Sequence, residues 1–186
     1  MLNIGIFTSA SNKLSNSYFE LAKQLGNQLA NAGHCIIYGG ANVGLMGALA
    51  DAAIECQGQV VGVFPENLGK RELTHPGLQE LIYTKGLHQR KQIMYDKSDF
   101  FISLPGGFGT LDETFEVLTW NQLGHFQKPL YFFNYQNFYD HLIMFIKKLE
   151  NENFIKVYDR VGINTIENFS DLDKVLSQEL KRKYGQ

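Results

Sequence analysis

The chain has 186 residues, so we expect one domain over residues 1–186. Hydrophobic residues make up 44% and charged residues 19%, which fits a folded globular protein and excludes a disordered one. Lys and Arg number 17 against 19 Asp and Glu, giving a net charge of −2. This balance argues against a nucleic-acid or membrane partner held by bulk charge.

The sequence offers no signal that would send the protein to a membrane or out of the cell. Its first residues have neither a basic segment nor a long apolar run, and no stretch approaches the roughly 20 apolar residues of a membrane span. The two cysteines, Cys35 and Cys56, lack CxxC spacing, so we expect reduced thiols. A cytoplasmic protein is predicted. Metal-binding spacings such as HExxH are not found either, so no metal is expected.

Strand-like and helix-like segments alternate along the chain. Continuous apolar runs predict strands at residues 4–7, 35–38, 60–64, 81–83, 100–104 and 130–133. Helical periodicity predicts helices at residues 16–32, 45–54, 87–95, 110–123, 139–149 and 171–183. Continuous apolar strands fit a sheet covered on both faces, and the alternation predicts parallel pairing. We therefore expect an α/β fold with a doubly wound, mainly parallel sheet and helices on both faces.

Three loops rich in small residues follow predicted strands, at residues 8–12, 39–44 and 105–110. Ligands of such folds bind beyond the carboxyl ends of the strands, so these loops are expected to converge on one site. The loop Pro-Gly-Gly-Phe-Gly-Thr at 105–110 precedes a helix, whose free amides and positive dipole end favour a phosphate. The alternative is a tight turn whose glycines serve geometry alone. The pattern is neither GxGxxG nor a P-loop.

Glu113 has two interpretations. Thr110 and Glu113 have the spacing of a capping box, in which each satisfies the other's backbone amide. Alternatively, Glu113 and Glu116 stand with Trp120 on one non-core face of the helix, and an ionised carboxylate there could act as a charge stabiliser or base. A separate apolar stripe is expected to face the core, formed by Leu111, Phe115 and Leu118.

A basic pair opens the helix predicted at residues 87–95. One interpretation is that Arg90 and Lys91 are solvated surface residues. The other is that the forked guanidinium of Arg90 binds a phosphate or a carboxylate. The sequence does not choose between these partners.

Taken together, three segments resemble the LONELY GUY (LOG) family. They are Pro-Gly-Gly-Phe-Gly-Thr-Leu-Asp-Glu at 105–113, the pair Arg90-Lys91, and the Gly-Leu-Met-Gly segment at 44–47. The first matches the family signature PGGxGTxxE, and the likeness extends from about residue 4 to residue 154. The resemblance implies a Rossmann-like fold, usually in a homodimer or larger assembly, and hydrolysis of the N-glycosidic bond of cytokinin riboside 5′-monophosphates or AMP. Many bacterial members carry a lysine decarboxylase label, but nothing in these residues supports a pyridoxal phosphate site.

The resemblance also implies the site residues. Arg90 and Glu113 correspond to the catalytic pair. The positions implied to bind the substrate are Glu72, Lys91, Gly106, Gly107, Phe108, Gly109, Thr110, Leu111, Asp112 and Thr119, to which we add Gly40 and Gly44 from the 39–44 loop.

This chain departs from the family pattern in two places near the expected pocket. Thr-Ser-Ala-Ser at 8–11 replaces Cys-Gly-Ser-Ser, and Gly-Leu-His at 86–88 replaces Asp-Met-His. Because both lie near the expected pocket, we expect them to affect which base is preferred more than which reaction is catalysed.

The expected substrate is a nucleoside monophosphate, with no metal or redox cofactor required. A positively charged, oxocarbenium-like sugar forms as the ribosyl–base bond breaks, and an ionised Glu113 would stabilise it or orient the attacking water. The alternative function, from a different class, is a carrier that binds a nucleotide or phosphorylated cofactor without turnover, as related molybdenum-cofactor carriers do. A purely structural oligomer would leave the loop glycines unexplained.

Overall fold

The computed structural model describes residues 1–66, 73–155 and 163–185. A parallel sheet of seven strands lies at its centre. The strands are β1 (Asn3–Phe7), β2 (Cys35–Tyr38), β3 (Gln59–Pro65), β4 (Glu80–Thr84), β5 (Phe100–Ser103), β6 (Leu130–Phe133) and β7 (Asn164–Ile166). The helices are α1 (Asn16–Asn31), α2 (Gly44–Glu55), α3 (Leu87–Lys97), α4 (Phe108–Gln122), α5 (Asp140–Asn151) and α6 (Phe169–Tyr184).

The strand order is β4-β3-β2-β1-β5-β6-β7, so the chain builds the sheet outward from β1 in both directions. The crossover direction reverses between β1 and β5, which pair directly through Phe7 and Ser103. This reversal opens a crevice at the carboxyl edge of the sheet, the usual place for a ligand in this fold. The predicted α/β, doubly wound parallel architecture is confirmed.

Alternate residues of each strand enter cores on opposite faces of the sheet. Ile4 and Ile6 of β1 pack in the core beneath α1, α2 and α6, whereas Phe7 packs in the core beneath α3, α4 and α5. Both faces are therefore apolar, which explains why the strands are continuous apolar runs rather than alternating ones.

Two elements differ from the sequence prediction. Strand β7 (Asn164–Ile166) was not predicted, because three residues that include Asn and Thr give no apolar run. Helix α4 begins at Phe108, two residues before the predicted start, because Gly107 rather than Thr110 is its N-cap. Among the described residues, no helix is both long enough and apolar enough to cross a bilayer.

Helices α1 and α2 pack unusually closely, and Gly26 is the point of approach. A Cβ atom on Gly26 would lie 2.4 Å from the carbonyl oxygen of Leu49 and 3.2 Å from the amide nitrogen of Ala53. Both neighbours are backbone atoms of a helix, so neither can move aside alone. The glycine thus sets the separation of the two helices beneath the loops that form the site.

We expect Gly26→Ala to lower the free energy of unfolding by about 1–3 kcal/mol, because the two helices must separate. The loss would occur although alanine is the better helix former by about 1 kcal/mol. Urea unfolding measures it, with the exposed Gln24→Ala in the same helix as a control expected to stay within about 0.5 kcal/mol. Equal stability of the Gly26 variant and the parent protein would contradict this packing account.

Candidate active site

A cavity of about 510 Å³ opens at the crevice between β1 and β5. Its walls come from the loop after β1, the loop after β2, the end of β3, and the first turns of α3 and α4. Arg90, Glu113 and Thr110 line it together with small residues such as Gly39 and Gly107. The loops predicted to converge from three strand ends therefore meet at one cavity.

Arg90 and Glu113 form an ion pair in the wall of this cavity. The Nη1 atom of Arg90 donates to Oε1 of Glu113 at 2.5 Å, and the two side chains are only 13% and 8% exposed. The Nε atom of Arg90 donates to the carbonyl oxygen of Val63 at 3.1 Å, which anchors the guanidinium to the end of β3. Of the partners that the sequence left open for Arg90, the structure shows the carboxylate.

The surroundings of Glu113 act on its charge in opposite directions. Burial raises the pKa of its carboxyl group above the ordinary glutamate value, the Arg90 guanidinium lowers it, and the Asp112 carboxylate raises it again. The net direction is upward. The guanidinium is therefore the principal group that favours a negative charge at this buried position.

Glu113 does not act as a helix cap. Thr110 is the third residue of α4 rather than its N-cap, so the capping-box interpretation is wrong. The expected non-core face is also wrong for Glu113, which is buried and lies on the inner side of α4 with Thr110, Thr114 and Val117. The expected core-facing stripe is wrong at Phe115, whose exposed fraction is 39%.

The first turn of α4 offers backbone donors to the cavity. Its first intrahelical bond runs from the amide of Leu111 to the carbonyl of Gly107 at 3.0 Å. The amides of Phe108, Gly109 and Thr110 precede that bond and have no carbonyl within the helix. Together with the positive end of the helix dipole, they suit an anion.

Glycine at position 106 is required by the shape of this turn. A Cβ atom there would lie 2.1 Å from Oγ1 of Thr110. Two positions earlier, Leu104 is fixed from both sides: its amide donates to the carbonyl of Phe7 at 2.9 Å, and its carbonyl accepts from the Tyr139 hydroxyl at 2.6 Å. The turn that leads into α4 is thus held before any ligand arrives.

The loops after β1 and β2 are bonded to each other. The amide of Gly44 donates to Oδ1 of Asn12 at 2.7 Å, and the amide of Leu45 donates to the carbonyl of Ser9 at 3.0 Å. The first two amides of α2 are therefore occupied, whereas the described residues provide no such partners for the first amides of α4. An anion at this edge is expected at α4.

Lys91 belongs to a neighbouring charged cluster. Its Nζ atom pairs with Oδ2 of Asp112 at 3.0 Å and also contacts Glu116, which accepts from the Tyr95 hydroxyl at 2.9 Å. Burial opposes the charge of Lys91, but the two carboxylates outweigh it and raise the pKa of the amine. This cluster ties α3 to α4 and so fixes Arg90 relative to Glu113.

The predicted site residues divide into two groups. Those that line the cavity are Arg90, Glu113, Gly107, Gly109 and Thr110. Those that the structure describes but that do not line it are Gly40, Gly44, Lys91, Gly106, Phe108, Leu111, Asp112 and Thr119. Glu72 lies outside the described residues.

Several residues of the second group face solvent, shape a loop or line a different groove. Phe108 is 93% exposed, and Thr119 lies on the exposed side of α4 with its hydroxyl bonded to the carbonyl of Phe115. Gly40 and Gly44 have positive φ angles of 75° and 58° and shape the loop. Gly44 lines a separate groove of about 610 Å³ between α1 and α2. The substrate-binding roles of these residues stay predictions.

Gly39 was not among the individually predicted site residues, although its loop was expected at the site, and it lines the cavity. A Cβ atom there would lie 2.4 Å from Nη2 of Arg90, so the absence of a side chain makes room for the guanidinium. Its position directly after β2 could have identified it, because ligands of this fold bind at the residues that follow the strands. Among the described residues, no cluster of three or more His, Cys, Asp or Glu side chains is arranged to hold a metal ion.

Comparison with solved structures gives the same fold. The molybdenum cofactor carrier protein of Chlamydomonas reinhardtii matches with a TM-score of 0.72 and 20% identity, over 96% of this chain and 98% of that one. The molybdenum cofactor binding protein of Rippkaea orientalis matches with a TM-score of 0.71 and 21% identity, over 96% and 97%. At these identities the likeness concerns the fold alone.

Sequence comparison gives the family. A family profile described as "Possible lysine decarboxylase" matches residues 46–176. The cytokinin riboside 5′-monophosphate phosphoribohydrolase LOG2 of Arabidopsis thaliana is 38% identical over 175 residues, 94% of this chain and 82% of that protein. The cytokinin riboside 5′-monophosphate phosphoribohydrolase of Rhodococcoides fascians is 42% identical over 154 residues, 82% of this chain and 78% of that protein. With its signature residues gathered around one cavity and relatives that match most of its length, the chain belongs to the LOG family.

Proposed function

We propose that this protein hydrolyses the N-glycosidic bond of AMP-type nucleoside 5′-monophosphates, cytokinin riboside 5′-monophosphates included. Water adds to C1′ of the ribose, the C1′–N bond breaks, and a proton passes to the leaving base, so that free base and ribose 5-phosphate are released. The observation that carries the proposal is the buried Glu113–Arg90 pair beside the free amides of α4. The names of the sequence relatives support the same reaction.

The 5′-phosphate is assigned to the first turn of α4. Its free amides and dipole favour a dianion there, and the fixed turn at Leu104 means that little ordering is needed on binding. A phosphate held at this point orients the rest of the substrate. Binding energy from a remote group is thereby used to align the reacting bond.

Glu113 is assigned to the ribose. Thr110 and Glu113 both line the cavity from α4, so a sugar attached to the bound phosphate lies within reach of the carboxylate. The carboxylate stabilises the positive charge that develops on the sugar, or orients the attacking water. Arg90 keeps this carboxylate charged and in place, and Gly39 leaves the space that the guanidinium needs.

The alternative, a carrier without turnover, finds support only in fold likeness. A carrier of anions gains nothing from a buried carboxylate in the wall of its anion site, since the two negative charges repel. The assay for free base distinguishes the two functions.

We propose further that the protein works as a homodimer in the cytoplasm. Phe115 on α4 is 39% exposed and Leu123, directly after this helix, is 65% exposed, and Thr119 lies on the exposed side of the same helix. A second copy of the chain packed against α4 would cover these apolar side chains.

Replacement of Glu113 tests the catalytic assignment. We expect Glu113→Gln to lower kcat for AMP at least about a hundredfold, equivalent to about 2.7 kcal/mol of transition-state stabilisation. The fold should persist, because the amide has the same shape and still accepts from Arg90. Chromatographic detection of free adenine gives the rate, and circular dichroism checks the fold.

The matched control is Glu20→Gln, which changes an exposed carboxylate of α1 and should keep full activity. Full turnover by Glu113→Gln would make the Glu113–Arg90 pair purely structural.

The acidic side of the pH profile tests the role of Arg90. Glu113 works as a carboxylate and its pKa is raised, so kcat/KM should begin to fall at a higher pH than an exposed glutamate would give. Loss of the guanidinium removes the charge that favours ionisation, so Arg90→Ala should move this fall to still higher pH. Arg90→Lys keeps a positive charge and should move it less. Identical acidic limbs in all three proteins would contradict the coupling.

The proposed homodimer is tested by light scattering after size exclusion. We expect the parent protein to have about twice the chain's mass, and Phe115→Glu to shift it toward the monomer, because burying an unpaired charge at an interface is costly. Lys181→Glu, a charge change at an exposed position of α6 on the opposite face of the sheet from α4, should leave the mass unchanged. A monomeric parent protein would refute the dimer and leave the reaction assignment intact.

A further inference from the structure

Thr8 carries a buried hydroxyl group without a partner. Its residue is 7% exposed, and within the described residues its Oγ1 atom makes no hydrogen bond. The Tyr38 hydroxyl shares this property, but Tyr38 does not line the cavity, whereas Thr8 does. A buried hydroxyl that makes no hydrogen bond lowers the stability of a folded protein. Its presence in the wall of a ligand cavity therefore calls for an explanation.

The position of Thr8 places it opposite the proposed phosphate site. Thr8 directly follows β1, and the last residue of β1, Phe7, pairs with Ser103 at the end of β5. The chain after Ser103 leads through Gly107 into α4, so Thr8 and the first turn of α4 stand on the two sides of one crevice.

Two other hydroxyls of the same loop already act as acceptors within it. Ser9 Oγ accepts from the amide of Ser11 at 3.1 Å, and Ser11 Oγ accepts from the amide of Lys13 at 3.2 Å. These bonds hold the loop in shape. The Thr8 hydroxyl makes no such bond to any described residue, and position 8 is where the family pattern has Cys, a much weaker hydrogen-bond donor.

We propose that Thr8 is a phosphate-binding residue of this chain, whose hydroxyl turns about the Cα–Cβ bond and donates to the substrate's 5′-phosphate. A rotation of 120° takes a threonine side chain from one staggered position to the next. The phosphate is then held by main-chain amides of α4 on one side and by the Thr8 hydroxyl on the other. This inference rests on the proposed function, since it assigns the anion to that site.

Thr8→Val is the informative substitution because it keeps the shape and removes the hydroxyl. In a Glu113→Gln background, where AMP is consumed far more slowly, we expect Thr8→Val to weaken AMP binding about tenfold to a hundredfold, as for other hydrogen bonds to charged groups. Binding of adenosine, which has no phosphate, should change less than about twofold. Calorimetry measures AMP directly and adenosine by competition with AMP. Thr8→Ser keeps a hydroxyl and should restore AMP binding.

The unliganded protein supplies a second measurement that a merely structural hydroxyl would not satisfy. Because no described residue bonds to Oγ1, Thr8→Val should be at least as stable to urea as the parent chain. A loss of stability, unchanged AMP binding, or an equal loss for AMP and adenosine would each overturn the proposal.

Failure of this inference and failure of the proposed function can be told apart. If the parent protein releases adenine from AMP and Thr8→Val leaves AMP binding unchanged, only the role of Thr8 is lost. If the parent protein releases no base, the reaction assignment is lost, and the comparison of AMP with adenosine still decides the phosphate contact.

Discussion

A buried carboxylate can keep its charge only where a compensating cation is fixed beside it, and the site of this protein depends on that constraint. Glu113 lies on the inner side of α4, and the Arg90 guanidinium from α3 contacts it at 2.5 Å. The guanidinium is held in turn by the carbonyl of Val63. The chemistry that we assign to Glu113 thus requires α3, α4 and the end of β3 to keep one arrangement.

The sheet supplies this arrangement. Parallel strands bring the loops that follow them to one edge, and the reversal of crossover direction between β1 and β5 opens the crevice there. The start of α4 presents main-chain donors, and the charged pair lies about one turn further along that helix, where Glu113 meets Arg90 of α3. A substrate that reaches both has its phosphate and its sugar fixed at the same time.

The sequence predicted the architecture well, because apolar strand runs and helical periodicity report burial directly. It missed β7, whose three residues lack an apolar run. It also misjudged Glu113, because the spacing of Thr110 and Glu113 fits a capping box only if the helix starts at Thr110, and it starts at Phe108. Periodicity alone placed Phe115 in the core, although the buried side of α4 carries polar residues that serve the site. The close approach of Gly39 to Arg90 depends on strand packing that the sequence does not encode locally.

The most direct test of this account is a crystal structure of the Glu113→Gln variant with AMP bound. We expect phosphate oxygens about 2.7–3.2 Å from the amides of Phe108, Gly109 or Thr110. We also expect C1′ of the ribose within about 3.5 Å of the side chain at position 113 or of a water bonded to it. A phosphate bound away from α4, or a ribose that points away from position 113, would contradict the central claim.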